Sequence, residues 1–308
     1  MRVQPELYIP MLSVSNHGGV RVLLQVANHF AKNGLLPVTI FYPTGALNSR
    51  YSIHPDIRLI PLGPRLQWKI MRWFIFCLFL VPRIRSGYVL ANHFVTLFPS
   101  WTVGFFWRKP KVIYFIQDIE YKMYKSWLRF PAAFACKISY RCENLVAANS
   151  FLWKEIIRFN SRAKFINLGI DSIFIDTKIP NIGKIFDIIY FLRHEDYKRL
   201  DRFDRLLRFL NKEKFTVLCV TQNEALRDRY SEKVAHVVVP QSDGELISQI
   251  DRCRLMLLTS EHEGFALPPL ECMARGVIPV MYSCGGPANY AVDGFNARIV
   301  AEDDDLAI

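Results

Sequence analysis

The 308-residue chain has no C-x-x-C pair, and its seven cysteines (Cys77, Cys136, Cys142, Cys219, Cys253, Cys272 and Cys284) are odd in number and scattered, with no zinc-type Cys/His spacing. That argues against a structural zinc site and a disulfide framework, and reduced cytosolic thiols are the expectation. The N-terminal stretch MRVQPELYIPML has neither the long apolar core nor the cleavage site of a secretory signal. The most apolar run, residues 70–82 (IMRWFIFCLFLVP), is too short to span a bilayer and contains Arg72. A buried helix is expected there in preference to a membrane-contacting one. No repeat of about 20–50 residues is visible. The first strand–loop–helix unit lacks G-x-G-x-x-G, which argues against a nicotinamide or flavin dinucleotide.

Acidic residues are scarce in the first half. Residues 1–150 hold five of them against 18 basic ones, a net +13, while residues 151–308 balance to −2, and the whole chain carries +11. This asymmetry suggests different partners for the two halves, and an anionic lipid surface, a phosphate-bearing acceptor or nucleic acid would each match the basic one. The basic residues fall in no recognisable nucleic-acid module, so nucleic acid is the least favoured of the three. Trp68, Lys69, Arg72 and Trp73 are the candidate membrane contacts.

With 51% hydrophobic and 14% aromatic residues, disorder is excluded, and the length suits two domains. Short apolar runs alternate with segments of helical length. Strands are expected at 7–12, 38–42, 57–62, 88–91, 111–116 and 145–148, then at 186–192, 215–220, 236–239, 254–258 and 277–281, with a helix over 20–32. Such alternation predicts an α/β protein with parallel sheets covered by helices. Turn residues and weak periodicity over 167–184 mark a boundary. The expected organisation is two Rossmann-like domains, 1–168 and 169–308, facing each other across a cleft, with ligands beyond the carboxyl ends of the strands.

The most informative stretch is RLMLLTSEHEGFALPPLECMARGVIP, residues 254–279. A buried strand is followed by a loop with Glu263 at its mouth. Pro268 and Pro269 then suit a helix entry, and Glu271 is expected in the first helical turn. Two carboxylates would flank one crevice containing backbone N–H groups and a helix N-terminus. That combination favours a phosphate together with sugar hydroxyls, as in a nucleotide-sugar. In FDIIYFLRHEDYKRLD, residues 186–201, Arg193 and Lys198 follow a strand and can clamp a diphosphate. Gly18 and Gly19 lie between the first strand and its helix, and Gly285-Gly286 follows a later strand. His93, Gln117, Asp118 and Glu120 are candidates on the acceptor side, although His93 reads first as a buried, satisfied histidine.

With these residues in view, the whole chain resembles the retaining glycosyltransferases of the GT-B fold, glycosyltransferase family 4. The resemblance rests on Glu263-GFALPPL-Glu271 with the following C-M-A-R-G, on Arg193 and Lys198 five apart, on Gly18-Gly19, and on I-N-L-G-I-D at the domain junction. It implies transfer of a sugar from a nucleoside-diphosphate sugar to a hydroxyl of a glycan or lipid-linked acceptor, with retention and with no metal or other cofactor. Together with the scattered cysteines and the basic first half, these residues lead to the expectation of a cytoplasmic enzyme, peripheral at the inner membrane face, that makes cell-surface polysaccharide or glycolipid. Glu263 would bind the transferred sugar and Glu271 the ribose. Arg193 and Lys198 would stabilise the leaving diphosphate, and Gly18, Gly19 and the Gly264, Phe265, Ala266 and Leu267 loop would complete the donor site. The Q-D-x-E form at 117–120 resembles a subgroup linked to rhamnose-containing polysaccharides, which suggests a deoxyhexose donor. Members normally continue past this chain's final ARIVAEDDDLAI, so the second domain is expected to be incomplete. The alternative reading is a catalytically silent GT-B protein serving as a partner subunit.

Overall fold

The structure, a computed structural model, describes residues 4–84, 86–106, 110–123, 129–180 and 183–301. The chain divides into two compact units, Met1–Asn167 and Leu168–Ile308.

In the first unit the elements run β1 (Glu6–Pro10), β2 (Val14–Ser15), α1 (Gly18–Lys32), β3 (Val38–Pro43), β4 (Leu47–Asn48), β5 (Arg58–Leu62), α2 (Lys69–Leu80), β6 (Gly87–Ala91), α3 (Phe94–Phe106), β7 (Lys111–Ile116), α4 (Arg129–Ser139), β8 (Asn144–Ala147), α5 (Ser150–Ile156) and β9 (Lys164–Phe165). Seven strands pair in parallel in the order β5-β3-β1-β6-β7-β8-β9, and β2 and β4 form a separate short pair. The second unit contains α6 (Ile173–Asp176), β10 (Phe186–Phe191), α7 (Leu200–Lys212), β11 (Val217–Val220), α8 (Glu224–Tyr230), β12 (His236–Val238), α9 (Asp243–Ile250), β13 (Cys253–Leu258), α10 (Leu267–Ala274), β14 (Ile278–Tyr282) and β15 (Arg298–Val300). Its parallel sheet has the order β12-β11-β10-β13-β14-β15.

Both sheets are doubly wound. Each chain path steps outward from its first strand, then returns to the other side of it, so a switch point lies between β1 and β6 and another between β10 and β13. In β10 the two-residue side-chain period feeds two cores. Ile189 packs with Met256, Leu246, Ile250 and Cys272 on one face. Tyr190 packs on the other with Phe203, Leu206, Leu207 and Leu210, the i, i+3, i+4, i+7 stripe of α7. The Tyr190 and Phe203 rings stack at 3.7 Å.

Two expectations change. Residues 70–80 do lie in a helix, α2, but it is not buried: only Phe76 and Leu80 reach the core, and Ile70, Met71, Phe74, Leu78 and Phe79 face outward. Apolar composition shows that a helix has no polar face, and leaves open what covers it. The run YVLANH, residues 88–93, reads as a strand that His93 ends, and the structure stops that strand earlier. β6 stops at Ala91, and the His93 carbonyl accepts the Leu97 N–H at the start of α3.

Candidate functional site

Arg193 and Lys198 leave the carboxyl end of β10, and Glu263 leaves that of β13, its neighbour across the switch point. All three line one small cavity of about 40 Å³, together with Tyr190, Ser260, Ala266 and Pro268. The two loops are fastened to each other. Thr259 Oγ1 donates to the Lys198 carbonyl at 2.9 Å and meets the Tyr190 hydroxyl at 2.7 Å, and the Glu261 N–H donates to the Tyr197 carbonyl at 2.8 Å. Arg199, at φ 51°, is held by Asp201 through two 2.9 Å hydrogen bonds and lies 3.5 Å from Glu261. These ties fix where the cavity's charges sit.

Lys198 Nζ donates to Glu263 Oε1 at 2.7 Å and Oε2 at 2.9 Å, and Ser260 Oγ donates to Oε1 at 2.6 Å. Burial works against the ammonium charge, but the Glu263 carboxylate, with Tyr197 and Glu195, outweighs it and holds the Lys198 pKa above the usual lysine value. Arg193 has no hydrogen-bond or ion-pair partner among the described residues. The cavity therefore holds one cation neutralised by a carboxylate and one uncommitted cation, a net positive site for an anion.

The Glu263–Leu267 loop is shaped from beneath by the second glycine pair. The Glu263 N–H donates to the Cys284 carbonyl at 2.8 Å, and the Gly286 N–H returns to the Glu263 carbonyl at 2.9 Å. Gly285 sits at φ 94°, and a Cβ on Gly286 would stand 2.4 Å from the Gly264 carbonyl oxygen. Gly286→Ala is therefore expected to push this loop outward, costing about 1–3 kcal/mol of stability and weakening more than tenfold the binding of any nucleoside diphosphate that the cavity takes. Thermal unfolding and calorimetric titration of nucleoside diphosphate check this, and unchanged affinity would show that the loop takes no part.

Phe265 is buried edge-to-face on Tyr290 at 5.3 Å, and the Tyr290 hydroxyl donates to the Ala266 carbonyl. Ala266 has φ 62°, a left-handed geometry rare for a residue with a Cβ, which turns the chain sharply into α10. Glu271 is buried, but it is the fifth residue of α10 and so lies in the second turn rather than the first. The helix opens one residue before Pro268, so both prolines lie inside its first turn. They remove two of the amides that a helix N-terminus would offer an anion, leaving Leu267 and the loop before it. Glu271 is not among the residues that line the cavity with Glu263. Burial raises the Tyr290 pKa, and Cys284, Glu263, Cys272 and Glu271 add to that rise. Ser260, Thr259 and Tyr290 were not singled out in the sequence. Ser260 sits only three residues before Glu263, whereas Tyr290 reaches the loop from a distant segment.

The first unit holds the remaining candidates, in two groups. Gly18 and Gly19 are exposed at the start of α1, and Gln117, just past β7, donates from Nε2 to the Gly19 carbonyl at 3.1 Å. Asp118 Oδ1 accepts the Ile119 N–H at 2.7 Å. Glu120 and His93 belong to a buried polar cluster. Glu120 accepts the Phe94 N–H at 2.9 Å and the Tyr114 hydroxyl at 2.8 Å, and the Cys136 thiol lies 4.0 Å away. His93 Nδ1 accepts the Val95 N–H at 3.2 Å and stands 4.0 Å from Glu120. Burial, with Lys69 adding to it, pulls the His93 pKa down to about 3, so at neutral pH the ring is uncharged and forms no ion pair.

Burial pushes the Glu120 carboxyl up to about 8, with Asp118 adding to the rise and the Phe94 and Tyr114 hydrogen bonds opposing it. Between pH 4.5, its ordinary value, and about 8 the folded protein keeps a proton that the unfolded chain has released, so stability falls as pH rises through that window. His93 acts oppositely, but only below its ordinary 6.5. From pH 6.5 to 8 Glu120 therefore acts without opposition from His93, and the first unit should lose up to about 1.4 kcal/mol per pH unit. All six tryptophans lie in this unit, so fluorescence-detected urea unfolding reads it directly. Glu120→Gln should flatten the slope, and an unaltered slope would contradict the assignment.

Known proteins match the chain in fold and, over its second part, in sequence. Residues 182–308 match the family model described as glycosyl transferases group 1. No curated protein matches by sequence. Among solved structures, sucrose-phosphate synthase from Thermosynechococcus elongatus is 14% identical with a TM-score of 0.76, covering 99% of this chain and 88% of that one. Anabaena HepE in complex with UDP and glucose is 14% identical with a TM-score of 0.71, covering 98% and 88%. WaaG, a glycosyltransferase involved in lipopolysaccharide biosynthesis, is 14% identical with a TM-score of 0.73, covering 96% and 86%. These likenesses show the fold, which is the GT-B fold of glycosyltransferases.

Proposed function

We propose that this protein is a glycosyltransferase that moves a sugar from a nucleoside-diphosphate sugar to an acceptor hydroxyl. The observation that carries the reading is the meeting of Arg193, Lys198 and Glu263 in one cavity at the switch point of the second sheet. The family match covers that same unit, and HepE, a neighbour in fold, was solved with UDP and glucose.

In the proposed mechanism the donor diphosphate binds Arg193 first and draws Lys198 from Glu263. Glu263 stays held by Ser260 and has Oε2 free to accept a sugar hydroxyl. As the bond between the sugar and the diphosphate breaks, negative charge grows on the leaving group and the two cations stabilise it in a site that is already organised. In this reading the amides at 265–267 help hold the diphosphate or the sugar, and Glu271 accepts the ribose hydroxyls. Transfer of a hexosyl or deoxyhexosyl group with retention, metal independence, and an acceptor that is a glycan or lipid-linked chain made at the inner membrane face are finer parts of the same proposal. A panel of UDP-, GDP- and dTDP-sugars tests it, with chelator present and absent and the product anomer read by NMR. One donor should be turned over with retention in chelator. Inversion, or loss of turnover in chelator, would overturn those parts, and inertness toward every donor would overturn the whole.

A further inference from the structure

We propose that helix α2 is an in-plane anchor that seats its outer face in the headgroup layer of an anionic lipid bilayer. This deepens the membrane-peripheral part of the function proposed above and does not depend on sugar transfer. Around the helix, Phe76 and Leu80 point to the core, while Ile70, Phe74, Leu78 and Met71 fill a contiguous arc on the opposite side. Ile70 is 69% exposed, Phe74 60% and Leu78 58%, and Trp68, immediately before the helix, is 78% exposed. A helix that carries large apolar side chains on two opposite faces buries both where a partner or surface covers the outer one.

Charge identifies the covering surface. From residue 57 to residue 117 the chain carries nine Lys or Arg and no Asp or Glu. Arg65 and Lys69 are exposed at the start of the helix and Arg83 just beyond its end, and Lys69 Nζ lies 4.8 Å over the Trp73 ring. Cations at both ends of an aliphatic and aromatic face suit a surface with anionic heads above an apolar interior. Nucleic acid would call for cations on the face itself. The helix has 12 residues, about 18 Å at the usual rise, so it lies along the surface and does not cross it. No helix among the described residues is long and apolar enough to span a membrane.

The test is co-sedimentation of the full chain with mixed phosphatidylglycerol–phosphatidylcholine vesicles and with phosphatidylcholine alone. Binding should require phosphatidylglycerol, weaken as salt rises, and blue-shift the tryptophan emission in a way that Trp68→Phe diminishes. The double variant Phe74→Glu/Leu78→Glu should lower vesicle affinity on the order of 100-fold. Phe209→Glu, at an exposed position on α7 in the other unit, should leave it unchanged. No binding to the anionic vesicles, or equal binding by the double variant, would overturn the proposal. So would a wild-type dimer that the double variant converts to monomer, because a second copy would then cover the face. Nucleoside-diphosphate titration of the same double variant separates the two proposals: donor-site binding should persist when vesicle binding is lost.

Discussion

Lys198→Ala should lower glycosyl transfer by about 10²–10³-fold, the usual loss when one organised donor to a developing anion is removed. Among the described residues, the variant also leaves the buried Glu263 carboxylate with only Ser260 as a side-chain hydrogen-bond donor. Stability therefore has to be measured alongside activity, and Glu263→Gln provides the separate arm. Glutamine keeps a hydrogen bond to Ser260 while removing the counter-charge that now neutralises Lys198. Glu263→Gln should therefore reduce transfer, because the sugar loses its carboxylate, yet bind free nucleoside diphosphate as tightly as wild type or more tightly. Weaker diphosphate binding in Glu263→Gln would show that the carboxylate serves the phosphate side and would reverse the assigned roles. The double variant should lose less than the sum of the two single losses, because the residues pair with each other before any ligand arrives.

Arg275→Met should cost about 3–5 kcal/mol in the second unit, the range expected when one partner of a buried ion pair is removed. Arg275 is fully buried. Its Nε and Nη2 donate to Asp251 at 2.8 Å each, Nη1 donates to the carbonyls of Phe174 and Thr177, and Nη2 donates also to that of Lys178. One side chain thereby ties the end of α10, the end of α9 and the stretch around α6. At this chain length the expected fall in melting temperature is roughly 10 °C. Arg275→Met/Asp251→Leu should recover part of the loss, because neither charge is then left unpaired. A melting temperature within a degree or two of wild type for Arg275→Met, roughly the scale of a surface substitution, would contradict the role.

How legible each part was follows from which interactions fix it. The strands of both sheets read well because strands buried on both faces appear as continuous apolar runs: the expected 111–116 matches β7, and 186–192 overshoots β10 by one residue. The short edge strand β15 carries no such run and was missed. Arg193, Lys198 and Glu263 were legible because each closely follows a recognisable strand, and the doubly wound order sets β10 beside β13. The turn that holds Glu271 was misjudged because α10 starts at Leu267, where a left-handed Ala266 turns the chain. The exposure of α2 and the roles of Arg275 and Tyr290 lie in contacts between distant segments, which residue spacing does not encode. The C-M-A-R-G stretch shows this clearly: its arginine was visible as a motif, but its tertiary contacts explain it.

The proposed function requires the β10 and β13 loops to form one diphosphate-binding site. It is tested most directly by calorimetric titration of free UDP, GDP and dTDP into the full chain and into Arg193→Ala/Lys198→Ala. Wild type should bind at least one of them, and the double variant should lose about 10²-fold or more in affinity, two charge-assisted contacts having gone, while unfolding of the first unit is unchanged. Equal affinity in the two proteins, or no binding of any diphosphate by wild type, would contradict it.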